Sequence, residues 1–295
     1  MDDGFAGFKI GVAGLGLIGG SLAKAFKSAG YYVAGFDTDQ GTVSAAVNMD
    51  AVDVADCEPS LLFACDLIFV ALYPAGIINF VKDNAPCFKQ GSIIVDCCGI
   101  KSAVCKALYA TGLDFDFTFI GGHPMAGTEN NGFSASYGGL FRGASFILTP
   151  REDEDEHILQ ELDVLLRAAG FGRVVVTTPR HHDRMIAFTS QLPHVLACSY
   201  VMSPSCLQHD GFSAGSFRDI SRVAHINAAL WSQLFIDNKD ELCDEIDIMI
   251  ENMRKIRNAA ANSDTQALTA LLKKARRIKD AACGEHDAPA AGKTR

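Results

Sequence analysis

The chain has 295 residues, 48% of them hydrophobic and 21% charged, with a formal net charge of −9. Those values describe an ordinary globular chain long enough for one large domain or two smaller ones. They exclude a nucleic-acid scaffold, because no net basic field attracts phosphates, but they allow a small anionic substrate held by local arginines.

The N-terminal stretch MDDGFAGFKI is acidic and lacks the basic start and apolar run of a secretory leader. No stretch reaches the ~18 apolar residues of a membrane span. A cytoplasmic protein with no membrane or nucleic-acid partner is therefore expected. The ten cysteines are then expected as thiols. None forms a C-x-x-C pair, and adjacent Cys97 and Cys98 suit neither a bridge nor zinc, so no metal is expected.

In chain order, FKIGVAGL reads as an apolar strand and 17–29 as a helix with Ile18, Leu22, Ala25 and Phe26 on one face. YYVAGFD, DLIFVALY (66–73) and SIIVDCC (92–98) are further strands, followed by FTFIGG, ASFILTP, a helical segment over 153–169 stopped by Gly170, and RVVVTTP. Strands that are apolar throughout and alternate with helices require a parallel sheet covered on both faces. After Pro179 strand signals vanish. Leu242, Ile246, Met249, Met253 and Ile256 recur at helical spacing, as a helix-bundle core or a dimer seam would. The expected architecture is an α/β Rossmann-type dinucleotide-binding domain over 1–179 followed by an all-α domain over 180–285 for substrate binding and dimerisation. The polar tail at 286–295 reads as disordered.

GVAGLGLIGGS carries Gly14-x-Gly16-x-x-Gly19 between a strand and a helix. Gly14 permits the tight turn, Gly16 lets backbone approach a pyrophosphate, and Gly19 lets helix and strand pack closely. Leu17 and Ile18 open the helix whose free amides would face the phosphates. The next strand ends at Asp37, placed to bind ribose hydroxyls and to repel a 2′-phosphate, so NAD rather than NADP is expected. Structural turns and a helix cap are the competing readings of these residues.

GGHPMAG places His123 just beyond a strand end, where ligands of open parallel sheets bind. Pro124 restrains the backbone there, and the glycines are expected to leave room for a ring or cofactor. A catalytic base and a structural histidine both fit. Asp96 and Lys101 flank the turn after another strand. Glu129 follows His123, His194 lies in SQLPH, and Arg218 and Arg222 are four apart in GSFRDISR.

The motifs GGHPMAGTE, HHDRMIAFTSQLPH and GSFRDISRVA with a following Trp, in this order behind KIGVAGLGLIGGSLAKAF, resemble the prephenate dehydrogenases of tyrosine biosynthesis and their arogenate-using relatives. The resemblance implies an NAD-dependent oxidative decarboxylation, with hydride leaving C4 of a cyclohexadienol and the ring carboxylate leaving as CO2. It assigns catalysis to His123 and substrate binding to Arg222, with Arg218, His194, Glu129 and Gln191 around the pocket. Asp96 and Lys101 are expected near the cofactor. Members of the family often carry serine where this chain has Gly99, so His123 is expected to be held by water or by Ser102. The family often has histidine at Gln191, whose amide is expected to meet a substrate carboxylate without titrating. A homodimer is implied. No room remains after 285 for the regulatory module of some relatives, so any tyrosine inhibition is expected at the active site. Arogenate dehydrogenation is the nearest alternative. A non-catalytic NAD(H)-responsive binding protein and a β-hydroxyacid dehydrogenase using Lys101 or Lys239 are the others.

Overall fold

The computed structural model describes residues 7–282 except Glu129. The tail expectation at 286–295 and the Glu129 assignment therefore concern residues outside those described.

Eight strands form one sheet in the order β3-β2-β1-β4-β5-β6-β7-β8. They are β1 (Lys9–Ala13), β2 (Tyr32–Phe36), β3 (Val54–Asp56), β4 (Leu67–Val70), β5 (Ile93–Asp96), β6 (Thr118–Pro124), β7 (Ser145–Thr149) and β8 (Arg173–Val176). The first six run parallel. They are linked through α1 (Leu17–Ser28), α2 (Gln40–Asn48), α3 (Pro74–Asn84) and α4 (Ser102–Asp114). Successive side chains of each strand enter opposite faces. Phe69 joins Ile10, Phe26, Val95 and Phe146 in one core. Its neighbours Ile68 and Val70 join Ile77, Val81, Ile94 and Leu108 in the other. This two-sided burial is why the strands carry almost no polar residues.

The β1–β4 boundary is where the chain crosses back over the sheet, which opens a crevice beyond the strand ends. The sheet departs from all-parallel at β7. Residues 125–144 return without a crossover helix, so β7 runs antiparallel to β6. The crossover α5 (Glu156–Ala168) then makes β8 parallel to β7.

Beyond β8, Thr178 caps α6 (Pro179–Ile186) by accepting from the His181 amide. A π turn over Ala187–Gln191 leads into α7 (Leu192–Val201). Then come α8 (Gly215–Ser221), α9 (Ala228–Asp237), α10 (Lys239–Ala261) and α11 (Thr265–Ala282). Two compact units divide between Leu242 and Cys243, so α6 to α9 belong with the sheet. On α10, Leu242 is buried, whereas Met253 and Ile256 are 53% and 43% exposed. The second half of the predicted stripe therefore lies open to solvent.

Candidate active site

The crevice begins at the loop between β1 and α1. Gly14 has φ +86°, and a Cβ there would stand 2.6 Å from the Ala71 carbonyl oxygen after β4. A Cβ on Gly19 would fall 1.8 Å from the Gly14 oxygen, whereas one on Gly16 would meet nothing within 4 Å. Gly14 and Gly19 are thus demanded by the fold. Gly16 faces open space, and no side chain among the described residues caps α1. Its first amides and positive helix end remain available to a phosphate. Leu17 and Ile18 are half-buried in that first turn. Asp37, just past β2, accepts from the Leu15 amide at 2.8 Å and the Asp39 amide at 3.0 Å. Two backbone donors orient a carboxylate that is still half-exposed, the placement a ribose diol requires. The loop, the uncapped helix and the acid together fit a dinucleotide without a 2′-phosphate.

His123 is not on a turn. It lies within β6, paired with Ile147 of β7 beyond the end of β5. The preceding glycines do not clear room for a ligand, as the sequence suggested. A Cβ on Gly121 would strike Thr149 Oγ1 at 2.2 Å and Cys105 Sγ at 2.6 Å, and one on Gly122 the Asp96 oxygen at 2.4 Å. They let β6 pack directly against the turn that follows β5.

That turn explains two further departures. Lys101 Nζ pairs with Asp96, and both side chains are wholly inaccessible. Asp96 also accepts from the Gly122 amide at 3.1 Å and the Cys98 amide at 3.0 Å. The expected cofactor contacts of Asp96 and Lys101 are therefore corrected: their charged groups neutralise each other behind the site and fasten β5 to β6. Lys101 cannot serve as the central lysine of a β-hydroxyacid dehydrogenase, and Lys239 is an exposed residue opening α10.

His123 is half-buried, and its Nδ1 lies 2.9 Å from His182 Nε2. His182 Nδ1 in turn lies 2.8 Å from Asp183 Oδ1. The two Asp183 oxygens accept from the Lys101 and Ser102 amides, each at 2.7 Å, at the start of α4. The expectation that water or Ser102 holds His123 is thus replaced: Nδ1 meets a second histidine, and Ser102 engages Asp183. Burial above all, then His182 and Lys101, hold His123 well below the usual imidazole range. Burial likewise lowers His182 despite Asp183. Both rings are neutral near pH 7.

On the opposite wall, His194 stacks on Trp231 with ring centroids 3.7 Å apart, and its Nδ1 donates to the Ser190 carbonyl at 2.8 Å. The π turn presents that carbonyl, as such turns do near functional sites. Burial, with the Arg222 charge nearby, pulls His194 below its ordinary value. Arg222 and Arg218 are exposed; Arg222, the residue after α8, donates its amide to the Arg218 carbonyl, so the two fall on one side of that helical turn. Trp231 and Leu234 lie three apart on one face of α9. A Cβ added at Gly99 would be 3.7 Å from Leu234 and 4.0 Å from His123 Cε1. The α9 face therefore runs from His123 to His194 and joins the two walls. Gln191 does not reach the pocket. It is 1% exposed, donates to the Leu234 carbonyl at 3.0 Å and accepts from Asn238 at 2.8 Å. It fastens α9 to the π turn instead of meeting a substrate carboxylate.

Sequence reasoning missed His182, Asp183, Trp231 and Asn238 as site-building residues. His182, Asp183 and Trp231 lie within or just after the motifs that carry the resemblance, which was the available signal; Asn238 had none.

Residues 22–176 match the family model described as prephenate dehydrogenase, nucleotide-binding domain, and 178–274 match prephenate dehydrogenase, dimerization domain. The chain belongs to the prephenate dehydrogenase family. It is 30% identical to a cyclohexadienyl dehydrogenase of Zymomonas mobilis, over 94% of this chain and 97% of that protein. It is 29% identical to a prephenate dehydrogenase of Bacillus subtilis, over 91% of this chain and 74% of that one. Among solved structures it resembles Synechocystis arogenate dehydrogenase with a TM-score of 0.81 and 28% identity, covering 92% of this chain and 99% of that chain. In this family member the matched nucleotide-binding segment covers the sheet from β2 to β8. The structure shows no helix long and apolar enough to cross a membrane among the described residues.

Proposed function

We propose that the chain is an NAD-dependent prephenate dehydrogenase, converting prephenate to 4-hydroxyphenylpyruvate with release of CO2. The observation that carries this reading is the half-buried His123 ring at the end of β6, with Nδ1 2.9 Å from His182 Nε2 and its other edge beside Gly99. The cofactor supplies the acceptor for the hydride leaving C4. His123 Nε2 accepts the C4 hydroxyl proton, which stabilises the charge that builds as the hydride departs. Arg222 binds a substrate carboxylate, for which a planar guanidinium is suited, and Arg218 stands beside it for the second. His194, oriented by Ser190 and Trp231, bounds the pocket. Helices α6 to α9 provide the substrate half, and the exposed Met253 and Ile256, in the segment matching a dimerization domain, support a homodimer. A cytoplasmic location is in keeping with that chemistry.

Arogenate is the second reading, because the relatives named above include an arogenate dehydrogenase and a cyclohexadienyl dehydrogenase. The two substrates differ in a side-chain keto or amino group. Purified protein offered each with NAD+, with NADH absorbance as readout, decides between them. Higher kcat/KM on prephenate is expected. Turnover of arogenate alone reverses the assignment, and tight NADH binding with turnover of neither indicates a non-catalytic NAD(H)-responsive protein.

A further inference from the structure

We propose that His182 and Asp183 are positioning residues that hold His123 in the one tautomer able to accept a proton at Nε2. This rests on the reading of His123 as the proton acceptor.

Asp183 has both oxygens fixed by the first amides of α4, at 2.7 Å each. The positive end of that 13-residue helix adds to those bonds. Burial opposes its charge, but the bonds from His182 and Ser102 outweigh it, and the carboxyl is held below its usual range. It is therefore an anion that can only accept. His182 Nδ1, 2.8 Å away, must then carry a hydrogen. A neutral His182 has its lone pair on Nε2. That lone pair faces His123 Nδ1 at 2.9 Å, so His123 must donate from Nδ1. The lone pair of His123 is left on Nε2. The reverse assignment would set two lone pairs against each other at the Asp183 end.

The arrangement also suits the charged state. Once Nε2 has taken the hydroxyl proton, the imidazolium keeps its Nδ1–H on the His182 acceptor, and no second proton needs to move. His182 is 1% exposed, so water does not compete for either contact. Asn238 donates to the Asp183 carbonyl at 2.9 Å, which pins the residue from its backbone side as well. On the other flank of His123 the chain presents Gly99, which has no side chain to orient the ring. Orientation thus falls to His182.

The test combines kinetics of His182→Leu, His182→Gln, Asp183→Asn and His123→Asn with long-range 1H–15N imidazole spectra, the last two His variants assigning the signals. The wild-type spectrum is expected to show His123 protonated at Nδ1. His182→Leu should lower kcat by about 10–100-fold, less than loss of the general base itself would cost (about 10²–10⁴-fold). KM and NADH affinity should stay within about twofold, the sign of a transition-state effect. His182→Gln, whose amide oxygen can accept from Nδ1, should recover most of the loss. A wild-type His123 protonated at Nε2 overturns the proposal without any variant needing to fold. So does a His182→Leu kcat near wild type while His123→Asn is inactive. An active His123→Asn would instead sink the reading beneath it.

Discussion

Lys101 and Asp96 form an ion pair with neither side chain accessible, directly behind the strand that carries His123. Burial works against the Lys101 charge, but Asp96 outweighs it and raises the ammonium's pKa. Because Asp96 also receives the Gly122 amide, the pair sets the distance between β5 and the segment before His123. Lys101→Met leaves a buried carboxylate uncompensated, which costs about 3–5 kcal/mol. Urea unfolding should show that loss, and the double variant Asp96→Asn, Lys101→Met should recover part of it. Wild-type stability in Lys101→Met would mean the pair contributes nothing to holding β5 against β6.

The depressed His123 sets the acid limb of activity. Burial, then His182 and Lys101, keep its pKa well below 6.5, and the neutral ring is the form that accepts a proton. The plateau in kcat/KM should therefore persist as pH falls through 6.5 and break only at lower pH. The stability sign agrees: the unfolded chain protonates this residue first, so its contribution is present above 6.5 and is lost as pH falls towards the folded pKa. An acid limb at or above 6.5 in kcat/KM would contradict the environment described for this ring.

Gly16 and Gly19 should respond oppositely to alanine. Gly16 has φ −67° and open space around an added Cβ. Gly16→Ala should fold with unchanged Tm yet weaken NADH binding about tenfold, ~1.4 kcal/mol. In Gly19→Ala the methyl meets the Gly14 oxygen at 1.8 Å, so stability should drop by about 1–3 kcal/mol. Equal NADH affinity in Gly16→Ala and wild type would remove the pyrophosphate from this loop.

The sheet was legible because apolar runs such as DLIFVALY admit few other settings, and the glycine loop because its strand, turn and helix follow in register. The site behind His123 was not. Gly121, Gly122 and Pro124 read as a turn, but the glycines serve close packing, and β6 continues through Pro124 opposite Phe146. Asp96, Lys101 and Gln191 read as ligand-facing polar groups because sequence does not reveal that each finds its partner inside the protein. His182 lies 59 residues from His123, and only the return of α6 to the end of β6 brings the rings together. The α10 stripe is a case where spacing marked the face correctly but could not tell a core from an open surface.

If His123 accepts the substrate hydroxyl proton, His123→Asn removes that acceptor and leaves the nucleotide loop untouched. With prephenate and NAD+, kcat should fall by about 10²–10⁴-fold while NADH affinity stays at the wild-type value. A variant that turns over at close to the wild-type rate would contradict the account.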